Sequence, residues 1–427
     1  MDEREHPLTV LARTGRGTRM GALFRRYWLP VLLAEELAEP DCPPVRVQLL
    51  SERLIAFRDS AGRLGLLDEF CAHRGASLWF GRNEQGGLRC VYHGWHFDAE
   101  GRCLQIPSEP PDTPLLQRIR LKSYPLVERG GILWAYLGEA RHQPPPPAYE
   151  FTSLPAPQRL ASKRLQESNY LQALEGGMDP FHLAYLHRGE FAANAKLASP
   201  GVRAFMRPDL PLRMEIAATP GGLLLANGRS GAGGVFWRVM QWIMPTVTLI
   251  PPFADAPVHG HAWVPIDDDS CWVWTFEYHP TRALTAEECA SAAQGEGLHV
   301  RVEPGSFRPL ANRHNGYFMD RVRQRDGTLY SGVPGIGMQD AALQENMAPL
   351  TERREHLVSI DRFIVQARRR LQEAAVLAAA DADELPGTDP AAQQVRSASV
   401  ILDAEREVFA EVAGHLNSVP GTRFLTE

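Results

Sequence analysis

The sequence predicts an α+β chain of two domains, and three observations carry that prediction. Between about residues 45 and 137 apolar residues recur with period two in short runs. A series of prolines follows. Beyond it, strand-like stretches give way to long helical ones.

In the first region "VRVQLL", "RLIAFRD", "LGLLD", "LRCVY" and "GILWAYLG" read as the strands of a compact antiparallel β-domain. The turns "DSAGR", "NEQGG" and "DAEGR" part them. With a helical lead-in before it, this domain is expected over residues 1–143. "HQPPPPAYE" places Pro144 to Pro147 in series, and polyproline is stiff and cannot continue a ladder, so a linker is expected there. The second domain, 144–427, opens with "ESNYLQALEGGMDPFHLAYLH", helical in pattern and broken at "GGMDP". Residues from about 211 to 280 return to strands, among them "VFWRVMQWIM" and "CWVWTFEY". Two long helices are expected to close the chain, "ERREHLVSIDRFIVQARRRLQEAA" and "AAQQVRSASVILDAEREVFAEVAG".

The composition of this 427-residue chain narrows the function classes. A formal net charge of −6 without a basic run gives no footing for nucleic acid. The start, "MDEREHPLTV", lacks the apolar core of a signal peptide, and no apolar run reaches membrane-spanning length, so a soluble protein is expected. Six widely spaced cysteines are too few for a disulfide scaffold and suit a reducing cytoplasm.

Two of those cysteines keep company with histidines. Cys71 and His73 stand in "CAHRG", and sixteen residues later Cys90 and His93 stand in "CVYHGW". Gly75 and Gly94 let each loop bend tightly. Either pair alone reads as ordinary packing, but both pairs at this spacing do not. A structural zinc site wants these ligand types, yet zinc fingers usually draw both cysteines from one loop and both histidines from another. One of each per loop suits a [2Fe–2S] cluster with two thiolates on one iron and two imidazoles on the other. "CAHRGASL…CVYHGWHFDAEGRC" closely resembles the Rieske iron–sulfur motif. His96 reads as a neighbour and Cys103 as a packed strand residue.

A second constellation lies in "EGGMDPFHLAYLH". Asp179 and His182, three apart, share a face if the segment is helical. His187, five beyond His182, is off that face, so both histidines reach one metal only if the segment is distorted. Beside a one-electron donor, a two-histidine site suggests oxygen chemistry at a mononuclear iron with two histidines and one carboxylate. With Asp179-x-x-His182-x₄-His187 on the page, the chain resembles the oxygenase (α) component of the Rieske non-haem iron aromatic-ring hydroxylating oxygenases. The resemblance covers about residues 20 to 375.

That resemblance implies a catalytic domain of the helix-grip, START-like kind, with His182 and His187 on a mononuclear Fe(II) and Asp179 beside them rather than on the metal. Candidates for the third ligand are Asp320, Asp326, Asp340 and Glu345. Asp340 is favoured, because "GVPGIGMQDAALQENMAPL" resembles the phthalate- and phenoxybenzoate-type branch; alternatively, Asp340 is a helix N-cap. The resemblance further implies electrons from a separate NADH-dependent reductase of flavin and ferredoxin type, and a homotrimer or stacked trimers. In such a ring Asp179 reaches across to His93 or His73 of a neighbour. No G-x-G-x-x-G fingerprint accompanies these motifs, as a separate reductase requires.

Apolar and aromatic stretches such as "VFWRVMQWIM" and "WVWTF" suit an aromatic ring, or are plain core, and the branch resemblance favours an aromatic acid or aryl ether. Arg229 and Arg238 are candidates to hold a substrate carboxylate, or are structural arginines. Dihydroxylation, monooxygenation and O-demethylation all stay open. His259 and His261 are left unassigned. Two other classes compete: a pure electron carrier, and a ligand-binding protein with a zinc-stapled first domain.

Overall fold

Two short helices lead in, α1 (Pro7–Ala12) and α2 (Arg19–Phe24), the second capped by Thr18, whose Oγ1 accepts from the Gly21 N–H at 3.0 Å. This computed structural model describes residues 7–193, 203, 207–231, 233–295 and 297–426, so the first six residues of the charged start lie outside it. Among the described residues no helix is long and apolar enough to cross a membrane.

Ten strands follow the lead-in, forming three small antiparallel sheets. They are β1 (Trp28–Leu33), β2 (Val45–Leu49), β3 (Glu52–Arg58), β4 (Leu64–Asp68), β5 (Arg82–Glu84), β6 (Gly87–Arg89), β7 (His96–Phe97), β8 (Cys103–Gln105), β9 (Leu126–Arg129) and β10 (Ile132–Tyr136). The sheets run β1-β10-β9, β2-β3-β4 and β5-β6-β7-β8. Ile55, Phe57, Leu67, Leu78, Leu88 and Phe97 form a small core of their own, and both Cys71 and Cys90 sit in it.

The proline stretch is not a free spacer. Trp28 Nε1–H donates to the Pro144 carbonyl at 3.0 Å. Trp134 stacks on Tyr149 at 5.8 Å, Tyr149 on Phe151 at 5.8 Å, and Phe151 on Phe276 at 4.4 Å. An aromatic ladder thus carries the main core from β10 into the second half of the chain.

That half is built on one antiparallel sheet of eight strands: β11 (Arg159–Gln166), β12 (Leu212–Ala218), β13 (Gly222–Gly231), β14 (Gly234–Ile243), β15 (Val247–Ile250), β16 (Val258–Pro265), β17 (Cys271–Tyr278) and β18 (Ala398–Leu402). Their order is β11-β17-β16-β15-β14-β13-β12, with β18 on β14. Helix α3 (Tyr170–Met178) lies against β16, and Asn169 caps it, accepting from the Leu171 N–H at 2.9 Å.

Gly176 and Gly177, expected to break this helix, stay inside it. A Cβ on Gly177 would stand 2.2 Å from the Trp263 ring of β16, and one on Gly176 would stand 2.2 Å from Gln344. The glycines are therefore contact points, and the helix ends at Asp179-Pro180 because proline has no N–H to give. Helix α4 (Arg188–Ala193) follows, and α5 (Ile336–Gln344) packs beside α3.

The two closing helices need correction. The first, α6 (Arg362–Ala379), starts ten residues later than expected, where its buried stripe of Phe363, Ala367, Leu371 and Ala374 begins. Its Arg368 reaches Glu175 of α3 at 2.6 Å. The second is not a helix. "ASVIL" forms β18 on the outer half of β14, with Arg238 opposite Ser399, and only a short helix, α7 (Val408–Val412), follows. Its β-branched residues complete a ladder with a strand far away in sequence, and the Arg396–Glu150 ion pair fixes its start.

Candidate functional site

Two copies of one turn face each other at the tip of the N-terminal region. In the first, Cys71 N–H donates to the Ala76 carbonyl and Gly75 N–H to the Cys71 carbonyl, both at 2.9 Å. In the second, Cys90 N–H donates to Trp95 at 2.8 Å and Gly94 N–H to Cys90 at 2.9 Å. Gly75 and Gly94 sit at φ +74° and +75°, in the left-handed region that glycine occupies freely. Each turn buries its cysteine and leaves its histidine exposed.

The rings of His73 and His93 lie 4.6 Å apart, and Trp95 stacks flat on His73 at 4.8 Å. Burial, together with the facing Cys90 sulfur, pushes the Cys71 thiol up to about 11, despite a backbone hydrogen bond at His73. Burial thus disfavours the thiolate, and a positively charged partner beside the two sulfurs would supply what ionisation costs there. The donor set, two sulfurs inside and two imidazoles outside, fits a two-iron cluster. His96 does not join it: the ring is buried and its Nε2 meets the Glu84 carbonyl at 3.1 Å. Cys103 is buried, its thiol donating to the Gln105 carbonyl at 3.7 Å.

The second group forms where α3 stops. Asp179 is the C-cap of that helix, so it shares no helical face with His182, contrary to expectation. A turn of 3₁₀-helix, His182–Ala184, brings them together instead. Asp179 Oδ1 accepts from the Phe181 N–H at 2.7 Å, and its Oδ2 faces His182 Nδ1 at 3.5 Å. The distortion turns His182 Nε2 to within 3.1 Å of His187 Nε2. Asp340, inside α5 rather than at its N-cap, presents Oδ1 to these nitrogens at 3.5 and 3.4 Å.

The three ligand atoms all lie within 4.8 Å of one another. Among the described residues no other such group of three appears. Asp320, Asp326 and Glu345 are engaged elsewhere. Asp320 caps a helix start through the Val322 and Arg323 N–H groups, Asp326 binds Thr328, and Glu345 binds Tyr317.

Electrostatics suit a cation at this point. Burial would raise the Asp340 carboxyl, but His187, His182 and Arg164 outweigh it and hold the group below its usual range. Burial disfavours charge on His182, yet Asp179 and Asp340 overcome that and raise its pKa. His182 Nδ1 is buried without a hydrogen bond. Two imidazole nitrogens and one carboxylate converging from two segments are the donor types that a facial non-haem iron site requires. Sequence reasoning missed Gln339, whose Oε1 meets His187 Nδ1 at 2.6 Å, and nothing in its pattern marks it apart from its place next to Asp340.

Arg229, on β13, lies 5.3 Å over the ring of Phe181, the residue before His182. Its Nη1 donates to the Arg207 and Leu210 carbonyls at 2.9 and 2.5 Å. Its Nε and Nη2, both buried, find no hydrogen-bond partner among the described residues. Arg238 is buried against Phe253 at 4.1 Å and donates to the Pro251 carbonyl; burial lowers its pKa to about 9. His259 and His261 have structural partners: His259 faces Glu277 at 3.6 Å, and His261 Nδ1–H donates to the Trp274 carbonyl at 3.2 Å.

Comparison with known proteins follows the same division. Residues 27–125 match the Rieske [2Fe-2S] domain, and residues 135–408 match the family described as LigXa C-terminal domain like. The 3-chlorobenzoate-3,4-dioxygenase oxygenase subunit of Comamonas testosteroni is 35% identical, over 90% of this chain and 91% of its own. The phthalate 4,5-dioxygenase oxygenase subunit of Pseudomonas putida is 34% identical, over 88% and 86%. A solved structure, the QL mutant of NdmA from Pseudomonas putida CBB5 with caffeine, shares the fold at a TM-score of 0.58. It is 18% identical and covers 91% of this chain and all of that one.

Proposed function

The chain belongs to the Rieske non-haem iron aromatic-ring hydroxylating oxygenases, in their phthalate-type branch. From that premise we propose that Cys71, His73, Cys90 and His93 hold its cluster, that His182, His187 and Asp340 hold its iron, and that its substrate is a carboxylated aromatic. The observation that carries the reading is the convergence of the two Nε2 atoms and Asp340 within 4.8 Å. When bound, the cluster passes single electrons and the iron activates O₂ beside the substrate.

The chain's own residues supply position and selectivity. Cys71 and Cys90 keep the sulfur side of the cluster dry, while the exposed His73 and His93 offer an edge from which an electron can leave the domain. Trp95 fixes the plane of His73. Asp179 faces the Nδ1 edge of His182 at 3.5 Å and is the residue we assign to the bridge between iron and cluster. That bridge crosses to a neighbouring chain in a head-to-tail trimer. The exposed Val91 and Tyr92 in the Cys90–His93 turn, and the exposed Leu343 and Met347 in and after the helix that carries Asp340, suit such a closure. A cluster-bearing unit over 1–143 and an iron-bearing unit over 144–427 then work in different subunits of the ring. Electrons come from a separate NADH-dependent reductase of flavin and ferredoxin type, a reading supported by relatives that are themselves oxygenase subunits. The absence of a disulfide among the six cysteines suits a cytoplasmic setting.

Arg229 supports the carboxylate. Nε and Nη2 are the side-on pair of a guanidinium, the edge that takes a carboxylate by two parallel hydrogen bonds, and here that edge is buried beside the iron-binding turn. The names of both relatives, acting on chlorobenzoate and phthalate, agree with an acid.

The test is product analysis under ¹⁸O₂ with a reductase, NADH, and a panel of chlorobenzoate, phthalate, phenoxybenzoate and methoxybenzoate. Two labelled oxygens in one product are expected; one labelled oxygen, or loss of a methyl group, makes the protein a monooxygenase or O-demethylase. Arg229→Ala, with the Rieske spectrum unchanged, is expected to raise KM for the acid by about 10- to 100-fold. An unchanged KM removes the carboxylate assignment.

A further inference from the structure

Glu190, Gln339 and His187 form a chain of contacts between the two segments that carry the iron-site side chains. Gln339 is buried on α5, immediately before Asp340, and Glu190 lies on α4, just after His187. Gln339 Nε2 donates to the Val333 carbonyl at 2.9 Å and lies 3.4 Å from Glu190 Oε1. The same Glu190 oxygen accepts from the N–H of Gly335, the residue that opens α5, at 3.2 Å.

These contacts fix which way the amide points. With Nε2 committed to Val333 and Glu190, only Oε1 is left to face His187, and it accepts the Nδ1–H at 2.6 Å. A neutral imidazole protonated at Nδ1 carries its lone pair on Nε2, the atom that stands 3.4 Å from Asp340 and 3.1 Å from His182. Without that acceptor the ring could take either tautomer and turn.

We propose that Gln339 is a positioning residue that fixes His187 in its metal-binding tautomer, and that Glu190 fixes Gln339, so that this latch sets how tightly the iron is held. The inference rests on His182, His187 and Asp340 being the iron ligands. It also gives the two histidines different partners. His182 Nδ1 faces the carboxylate of Asp179, whereas His187 is held by a neutral amide, which orients the ring without drawing its proton.

The test uses the full chain with its cluster in place. Gln339→Leu removes the acceptor. Gln339→Glu, made together with Glu190→Gln so that two carboxylates do not meet, restores the acceptor for His187 while giving up the bond to the Val333 carbonyl. Fe(II) affinity is measured against a competing chelator, and the visible bands of Co(II) loaded into the emptied iron site report its geometry. Q339L is expected to hold Fe(II) about 10- to 100-fold more weakly and to shift the Co(II) bands, with the Rieske spectrum unchanged. The double variant should bind Fe(II) more tightly than Q339L, though short of the wild type, because the bond to the Val333 carbonyl is lost. Wild-type affinity and Co(II) bands in Q339L, while His187→Ala is iron-free, overturn the latch and leave the iron site standing. Full iron affinity in His187→Ala overturns the iron site itself.

Discussion

At the cluster end, two matching turns each supply one cysteine and one histidine from residues two or three apart, and a small private core backs them. At the candidate iron site, the converging side chains come from a turn after one helix and from a second helix, with 152 positions between His187 and the Gln339 that meets it. The first site is secured by local backbone geometry. The second exists only if α3, α5 and the large sheet are held in register, by Gly177 against Trp263, Gly176 against Gln344, and Arg368 against Glu175. Local geometry makes a ligand set hard to disturb from outside, whereas an assembled one can be tuned, or broken, from a distance.

The largest expected effect separates the two ends outright. His182→Ala should lose the mononuclear iron and all turnover while the Rieske absorption stays as in the wild type; iron analysis and the visible spectrum check it together. Loss of both signals would mean that the two sites do not form independently.

Acid offers a second separation. Glu277 is buried, which alone would raise its pKa, but His259 and His299 hold it down to about 2. His299 Nε2 lies 3.1 Å from Glu277, and its loop packs on α5, where a Cβ on Gly337 would stand 2.8 Å from the Leu298 carbonyl. A depressed carboxyl stabilises the fold above its unfolded pKa and loses that stabilisation as pH falls through the folded one. The iron-bearing region is therefore expected to lose about 3 kcal/mol between about pH 4.5 and pH 2. Denaturant unfolding across that range checks it, and Glu277→Gln should flatten the slope.

The smallest effects compare the two turns. Gly94→Ala meets both a positive φ and the Pro107 ring at 2.8 Å, and is expected to cost about 2–3 kcal/mol and some cluster content. Gly75→Ala meets the same strain with no atom within 4 Å, and about 1 kcal/mol is expected. Thermal unfolding with cluster absorbance ranks the pair; equal losses would show that the φ strain alone governs both.

The same contrast explains what could be read in the sequence. Cys71, His73, Cys90 and His93 were visible because their pattern is local and repeated, and the strands that carry them alternate in the plain way. His182 and His187 were visible as a pair, but the 3₁₀ turn that joins them was not, since it depends on how α3 ends against its neighbours. Gly176 and Gly177 look like breakers in one dimension, and only the Trp263 ring and Gln344 show them to be contacts. "ASVIL" has enough helix-compatible surroundings to pass for helix, and its partner strand β14 lies about 160 positions earlier. Gln339 and Glu190 carry no pattern at all, because their roles are defined by atoms brought from other segments.

The central claim is that the two ends form one circuit with Asp179 at the junction. The most direct measurement is a single turnover of fully reduced protein mixed with O₂ and substrate, following cluster oxidation by absorbance in the wild type and in Asp179→Asn. The account predicts that the variant keeps both metal sites filled yet oxidises its cluster about 10- to 100-fold more slowly. Cluster oxidation at the wild-type rate in Asp179→Asn would contradict it.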